Sequence, residues 1–323
     1  MKIILYTTIE KYILTKEIGE GNTCKCYEGY KEQENNFISK GEKYAIKIFD
    51  EKNKIYYEKE ISFLKKLNSE KYFIKLYSYG QGYTEENPYE GLLDRTTIKS
   101  VIYYQIVEYA ENGCLFDYIV NNGLSEELSA NIFYEILKSL KYIHEKNISH
   151  CDIKPENILL TKNYYPKIID FGYSEEFSGI DGNTIIHNEH GTPGYCSLDI
   201  RFASTKGYCG IKSDIFSLGV LLFVMTIGRP PFKEVKCDNK NYKLIISKKY
   251  KKFWQEFPDI NVSEELKDLI NKLICVDPLK RLSIDEILNH SWIVNNVNKN
   301  EQRENPFPTK YIKEFENKKN LRW

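Results

Sequence analysis

Between residues 11 and 50, apolar and polar positions alternate, and a glycine-rich turn interrupts them at 19–21. A period of two sends successive side chains to opposite faces of a pleated strand, so this stretch predicts strands joined by a tight turn. The period then changes. Ile61, Leu64 and Leu67 follow at helical spacing and predict a helix over 55–67, with strands returning at 72–79 and 101–107. Between those strands, 80–100 is polar and holds Gly80, Gly82, Pro88 and Gly91. It is longer than most connections and predicts a surface insertion or a binding loop.

From 125 onward the pattern is helical. Ser125, followed by Glu126 and Glu127, marks a helix start, and Ile132, Phe133, Ile136, Leu137, Leu140 and Ile143 form its apolar face. Further helices are predicted at 214–227, 263–275 and 284–291, the second opened by Ser263 with Glu264 and Glu265 in its first turn. Ile215–Ile227 is the most apolar run; at 13 residues it reads as a buried helix rather than a membrane span. Beyond 295 the chain is rich in Asn, Lys and Glu and predicts a loosely packed tail. The expected class is α+β: a β-rich part over 1–110, a mainly helical part over 111–295 and a tail over 296–323.

Composition narrows the partners. With 46 basic and 46 acidic residues among 323, the net charge is zero, so nothing global points to nucleic acid or a membrane surface. Met1–Tyr6 is apolar but too short for a signal segment. The eight cysteines contain no Cys-x-x-Cys pair, which sets aside zinc-ribbon and thioredoxin readings. Free thiols in a reducing compartment are expected, hence the cytoplasm, with the nucleus left open.

The chemistry concentrates in His150-Cys151-Asp152-Ile153-Lys154-Pro155-Glu156-Asn157, followed by Asp170-Phe171-Gly172. A candidate base, a lysine, a carboxamide and a second carboxylate suit phosphoryl transfer from a metal-bound nucleotide, where the group is positioned and its charge neutralised. These segments resemble the catalytic and metal-binding loops of eukaryotic-type protein kinases, and Lys154 points to the serine/threonine branch. The resemblance runs from about Tyr12 to Trp292, with the family's motifs in their order. It implies a two-lobed α+β fold, a small antiparallel sheet with one helix beside a larger helical lobe.

What the resemblance implies for single residues follows from position. Gly19, Glu20, Gly21 and Cys26 would cover the nucleotide, the glycines letting backbone N–H groups approach phosphate. Ala45 and Lys47 stand on the strand that carries the phosphate-binding lysine, and Glu60 would pair with Lys47. Glu58 competes for that role, but Leu64 and Leu67 fall four and seven residues after Glu60, which is the family's spacing. Val107 would back the adenine pocket, with Leu159 completing the nucleotide contacts and main-chain groups of Glu108 and Ala110 bonding adenine. Asp152 would orient the acceptor hydroxyl, Lys154 would meet the γ-phosphate, and Asn157 with Asp170 would hold Mg²⁺, ATP being the donor. His150 and Phe171 would stack with Leu64 and Leu76, Asp214 would anchor the catalytic loop, Thr192 would bond Asp152 or Lys154, and Asp199 would meet Arg281.

Several positions depart from the family's pattern. Cys24 replaces the third glycine, Cys26 the usual valine, Cys151 the arginine that grips an activation-loop phosphate, and Asp199 a glutamate. Asn188 stands at the usual phosphoacceptor, so the expectation is activity without phosphorylation there; Ser174, Ser178 and Thr184 stay open as other acceptors. Glu111–Asp117 and Gly228–Phe232 look most like calcium/calmodulin-dependent kinases. The basic tail 309–323, ending in Trp323, could serve a calmodulin-like regulator or autoinhibition, against the blander loose tail. Cys114 stands where the family often has a glutamate, which weakens a preference for basic substrates. A binding scaffold on the same fold is the rival to an active enzyme acting on protein serines and threonines, and a small-molecule kinase ranks third.

Overall fold

In the computed structural model the described residues are 2–7, 10–32, 41–87, 98–119, 123–177, 185–297 and 309–320. The chain divides into two units, Met1–Glu111 and Asn112–Trp323.

The first unit is a closed antiparallel barrel. Its strands are β1 (Lys2–Tyr6), β2 (Lys11–Glu20), β3 (Lys25–Lys31), β4 (Lys43–Phe49), β5 (Leu76–Asn87) and β6 (Ile98–Glu108), in the spatial order β1-β2-β3-β4-β6-β5. Closure comes from β1, which pairs with β2 on one side (Leu5 opposite Tyr12) and β5 on the other (Leu5 opposite Thr84). Leu5, Tyr12, Leu14, Ile46, Ile102, Tyr104 and Ile106 form one buried cluster, most of them two residues apart along their strands. Helix α1 (Lys54–Leu67) lays Tyr57 and Ile61, one turn apart, against Phe49 and Tyr103, with Cys24 and Leu76 at the edge of that cluster.

The surface insertion expected over 80–100 is corrected: β5 runs through Asn87 and β6 starts at Ile98, while 88–97 lie outside the described residues. Gly80 and Gly82 are strand positions where other groups come close, while Gly91 lies outside the described residues. A Cβ on Gly82 would collide with the Tyr6 carbonyl oxygen, and one on Gly80 would lie 3.2 Å from the Tyr104 hydroxyl. The short apolar run at the N-terminus is therefore a strand that Gly82 admits to the barrel.

The second unit holds α2 (Glu126–Glu145), β7 (Ile148–Ser149), β8 (Ile158–Leu160), β9 (Pro166–Ile168), β10 (Glu175–Glu176), β11 (Ile185–Ile186), α3 (Ala203–Lys206) and β12 (Tyr208–Cys209). It continues with α4 (Gly210–Ile227), α5 (Lys240–Ile246), α6 (Tyr250–Gln255), α7 (Glu264–Leu273), α8 (Ile284–Leu288), α9 (Ser291–Asn296) and α10 (Thr309–Asn320). Helix α4 is long and apolar enough to span a membrane, but 89% of it is buried within the chain, so it is the core helix of this unit. Ser125 and Ser263 cap α2 and α7, accepting from the N–H groups of Leu128 and Leu266.

The loosely packed tail is also corrected over 309–320, while 298–308 and 321–323, with Trp323, lie outside the described residues. Helix α10 buries Tyr311 and Phe315 completely or nearly so, and Glu314 accepts from both the N–H and the hydroxyl of Ser125 at 2.8 and 2.7 Å. Two apolar residues four apart give this polar segment one packing stripe.

Gly82→Ala should lower unfolding stability by about 1–3 kcal/mol in urea melts, because a backbone oxygen cannot step aside as a side chain can. Gly21→Ala, whose Cβ would meet nothing nearer than 3.8 Å, should change it by no more than about 0.5 kcal/mol. Equal losses from both would show that β1 does not depend on the close approach at Gly82.

Candidate active site

Strand alternation puts the first group of predicted residues in place. Ile46 enters the barrel core, so Lys47 faces the other side, toward α1. Its Nζ lies 2.6 and 2.7 Å from the two carboxylate oxygens of Glu60, which is 4% exposed; Glu58 instead lies near Lys54. Gln105, opposite Lys47 in the β4–β6 register and fully buried, donates to Glu60 at 3.3 Å. Sequence reasoning missed Gln105; a polar residue among the apolar positions of β6 was the available signal.

The glycine-rich segment is a hairpin end. Gly19 pairs with Cys26 and Glu20 with Lys25, and the Gly21 N–H donates to the Cys24 carbonyl at 2.9 Å. A Cβ on Gly19 would come no nearer than 4.0 Å to anything, so packing within the chain does not require glycine there. Cys24 packs onto the Phe49–Tyr57 cluster, which ties this turn to α1. Burial pushes the Cys26 thiol up to about 12, the Lys47 charge opposing the shift only in part. Ala45 and Val107 are buried partners across β4 and β6. The Glu108 N–H donates to the Lys75 carbonyl at 2.9 Å, so a main-chain contact from Glu108 to a ligand would use its carbonyl. Ala110 follows the end of β6 and is half-buried.

In the second unit the catalytic-loop residues form one hydrogen-bonded group. Asp214, fully buried on α4, accepts from the N–H groups of His150 and Cys151 at 2.9 and 2.8 Å. His144 Nε2, at the end of α2, lies 2.9 Å from the same carboxylate, a contact the sequence did not suggest. Cys151 is held at φ 65, a left-handed conformation that costs a non-glycine residue energy. Asp152 follows, 3% exposed: its Oδ1 accepts from the Thr192 hydroxyl at 2.6 Å, and its Oδ2 is 2.7 Å from Lys154 Nζ. Lys154 Nζ also donates to Thr192 Oγ1 at 2.7 Å, so Thr192 bonds both residues.

Asn157 Nδ2 donates to the Asp152 carbonyl and to Oδ2 at 2.8 and 3.0 Å, so a cation held here would meet its Oδ1. The β8–β9 pairing brings it to Asp170, since the Ile169 N–H donates to the Asn157 carbonyl at 3.0 Å. Asp170, half-buried, stands at φ 66 and accepts from the Gly172 N–H at 3.4 Å. A carboxamide oxygen and a carboxylate fit a hard divalent cation that completes its shell with phosphate oxygens and water. Leu159 sits half-buried between buried Ile158 and Leu160 and bridges to Cys114.

His150 is structural. Its Nδ1 accepts from the Asp152 N–H at 3.2 Å, which assigns the proton to Nε2, 3.0 Å from the Ile169 carbonyl. Its ring meets Phe171 edge-on at 5.1 Å, the part of the expected stack that lies within this unit; Leu64 and Leu76 belong to the first. Arg281, 2% exposed, donates to Asp199 at 2.9 Å and to three main-chain carbonyls. The shorter carboxylate at 199 therefore still reaches it.

Comparison with known proteins places this geometry. The protein kinase domain family matches residues 12–293. A probable serine/threonine-protein kinase of Dictyostelium discoideum is 32% identical over 90% of this chain, the match covering 32% of that protein. CBL-interacting serine/threonine-protein kinase 5 of Arabidopsis thaliana is 33% identical over 88% of this chain and 58% of its own length. For CBL-interacting protein kinase 26 of Oryza sativa the figures are 30%, 88% and 52%. The chain thus spans about a third to six-tenths of these relatives' lengths.

Raised thiol pKa values make a chemical prediction. Cys26 and Cys114, both pushed up to about 12 by burial, stay protonated at pH 8, as does buried Cys151, whose thiol is raised further. Brief iodoacetamide treatment of the folded protein at pH 8, read by peptide mass spectrometry, should label exposed Cys237 first and spare these three. Early labelling of half-buried Cys26 would contradict its raised thiol.

Proposed function

Because the chain belongs to the protein kinase family, we propose that it transfers the γ-phosphoryl group of Mg-ATP to serine and threonine hydroxyls of protein substrates. We further propose that it does so without phosphorylation at the usual activation-segment position. The observation that carries the first part is Asp152, a buried carboxylate fixed through both oxygens by Thr192, Lys154 and Asn157.

Each residue has a task in that reaction. The acceptor oxygen attacks the γ-phosphorus as the bond to the β-phosphate oxygen breaks and ADP leaves; Asp152 takes the acceptor's proton. Lys154 offsets charge on the transferring group. Lys47, oriented by Glu60, holds the α- and β-phosphates. Asn157 Oδ1 and the Asp170 carboxylate would hold Mg²⁺, which would supply neutralisation of phosphate charge. The names of the relatives support serine and threonine as acceptors, and Thr192, bridging Asp152 and Lys154, is consistent with a hydroxyl-bearing substrate.

The second part rests on how the activation segment is held. Cys151 lies in an apolar cluster with Ile186, Cys196, Ile200 and Tyr208, where a phosphate-gripping arginine would otherwise stand. Strands β11 and β12 pair Ile185 with Cys209 and Ile186 with Tyr208. Glu175 accepts from Asn188 Nδ2 at 3.0 Å and lies 2.9 Å from His190 Nε2, whose ring stacks on Tyr173. Of the other acceptors, Ser174 is corrected: it is fully buried and donates to the His150 carbonyl at 3.3 Å. Ser178 and Thr184 lie outside the described residues. A calmodulin-like regulator that engaged the tail's aromatic face would have to lift Tyr311 and Phe315 from their sites.

Transfer of labelled γ-phosphate to a mixture of serine/threonine proteins and peptides tests the activity. Asp152→Asn and Asp170→Ala should each lower it by about 10²–10⁴-fold with the fold intact. A folded wild type that transfers nothing across a broad panel would favour the scaffold reading instead.

Phosphatase treatment should change the rate by less than about tenfold, or ~1.4 kcal/mol in barrier. A larger loss would overturn phosphorylation-independence. Cys151→Arg should destabilise the protein by about 1–3 kcal/mol, because a much larger side chain would have to enter a filled apolar cluster. Chemical denaturation measures that cost.

A further inference from the structure

We propose that α10 is a positioning clip for the nucleotide-side segment of the second unit, acting through Phe315. The inference rests on the ATP reading above and names a residue far along the chain that tunes it.

Phe315 is fully buried between two tyrosines. It stacks on Tyr164 at 4.7 Å and 10° and meets Tyr118 edge-on at 5.1 Å and 80°. Those tyrosines belong to two segments that must keep register. Tyr118 closes the 3-10 turn Leu115–Tyr118, and Tyr164 lies in the β8–β9 turn at φ 59, its N–H donating to the Thr161 carbonyl at 2.8 Å.

From Tyr118 the linkage runs through one hydroxyl, which donates to the Asn112 carbonyl at 2.7 Å. Asn112 spends its own donors on the hairpin: its N–H on the Leu160 carbonyl at 3.2 Å, its Nδ2 on the Thr161 and Lys162 carbonyls at 2.9 and 3.1 Å. The Leu160 N–H returns to the Gly113 carbonyl at 2.8 Å, and Cys114 bridges to Leu159 while its thiol lies 3.2 Å from the Pro155 carbonyl. Leu159 is the proposed nucleotide contact on β8, and Asn157 immediately precedes that strand. The Phe315 ring therefore fills the corner that sets the register of residues 112–118 against β8.

The rest of the α10 face points the ring. The Tyr311 hydroxyl donates to Glu127 at 2.9 Å and accepts from Asn131 at 3.0 Å, Glu314 binds Ser125, and Lys318 donates to the Gly123 carbonyl. Positions 311, 314, 315 and 318 lie on one helical face, all on the start of α2 or the turns beside it. These α10 contacts fall on residues 118–131 and on Tyr164. Removing the ring should therefore alter nucleotide binding and spare the chemical step.

The test uses the full chain and compares wild type with Phe315→Ala, Phe315→Leu and Tyr118→Phe. ATP KM and kcat are measured at saturating protein substrate, and hydrogen exchange is followed at the Asn112 and Leu160 amides. Phe315→Ala should raise the ATP KM by about fivefold or more with kcat changed less than about twofold. Its two amides should exchange faster, and Phe315→Leu should recover most of the KM. Tyr118→Phe keeps the packing and deletes only the hydroxyl, so it should reproduce the KM effect in a fully stable protein. An unchanged ATP KM in Tyr118→Phe and Phe315→Ala, whatever their melting temperatures, would overturn the clip and leave α10 a structural cap. A wild type that neither binds ATP nor transfers phosphate would overturn the kinase reading itself, and the clip's catalytic role with it.

Discussion

One carboxylate organises the second unit. Asp214 is fully buried, and a buried charge is tolerated only when hydrogen bonds replace its water. Two of its donors are the consecutive N–H groups of His150 and Cys151, and His144 lies against it from the end of α2. Successive N–H groups converge on one acceptor only if the chain turns sharply, and Cys151 turns it at φ 65. The strain is offset because the carboxylate would otherwise be orphaned. Asp152 therefore inherits its direction from a residue sixty-two positions later, on the most buried helix of the unit.

The same economy governs the activation segment. Where a phosphate and an arginine could join the segment to the catalytic loop, this chain uses side chains that bury. Cys151 contributes a small apolar surface to Ile186, Ile200 and Tyr208, and burial raises its thiol so that it carries no charge there. An apolar contact needs no modifying enzyme and is indifferent to salt, whereas an exposed ion pair is screened. The contacts of Glu175 with Asn188 and His190 add direction to the same segment.

What the sequence disclosed and what it hid follow from the kind of interaction involved. Lys47, Glu60, Asp152, Lys154, Asn157 and Asp170 were legible because chemistry fixes their side-chain identity and their spacing fixes their element. Asp199 and Arg281 were legible for the same reason. The segment around Glu108 left little trace, since the contacts expected of it are main-chain ones that any side chain allows. Barrel closure was hidden because β1 is five residues long and the signal that admits it, Gly82, reads locally as a loop breaker. Helix α10 was hidden because only Tyr311 and Phe315 mark its buried face in an otherwise charged segment. Local pattern names an element; it does not say what a distant segment will cover.

The capping carboxylates show how such distant coverage is distributed. Helix α2 begins at Ser125, which caps it, and Glu314 of α10 binds that serine's N–H and hydroxyl. The next residue, Glu126, does the same at 2.7 and 2.6 Å for Ser263 at the start of α7, and also accepts from Trp292 Nε1 of α9 at 2.7 Å. Carboxylates near helix N-termini are favoured by the helix dipole, and each here also satisfies donors that the helix alone leaves open. Two glutamates, one within α10 and one at the start of α2, thus join α10, α2, α7 and α9. Because Glu126 belongs to α2 and also binds the capping serine of α7, a shift of α2 under α10 would be felt at α7 and α9. The tail is consequently part of the helical framework that holds the catalytic loop, although the loop precedes it by about 160 residues.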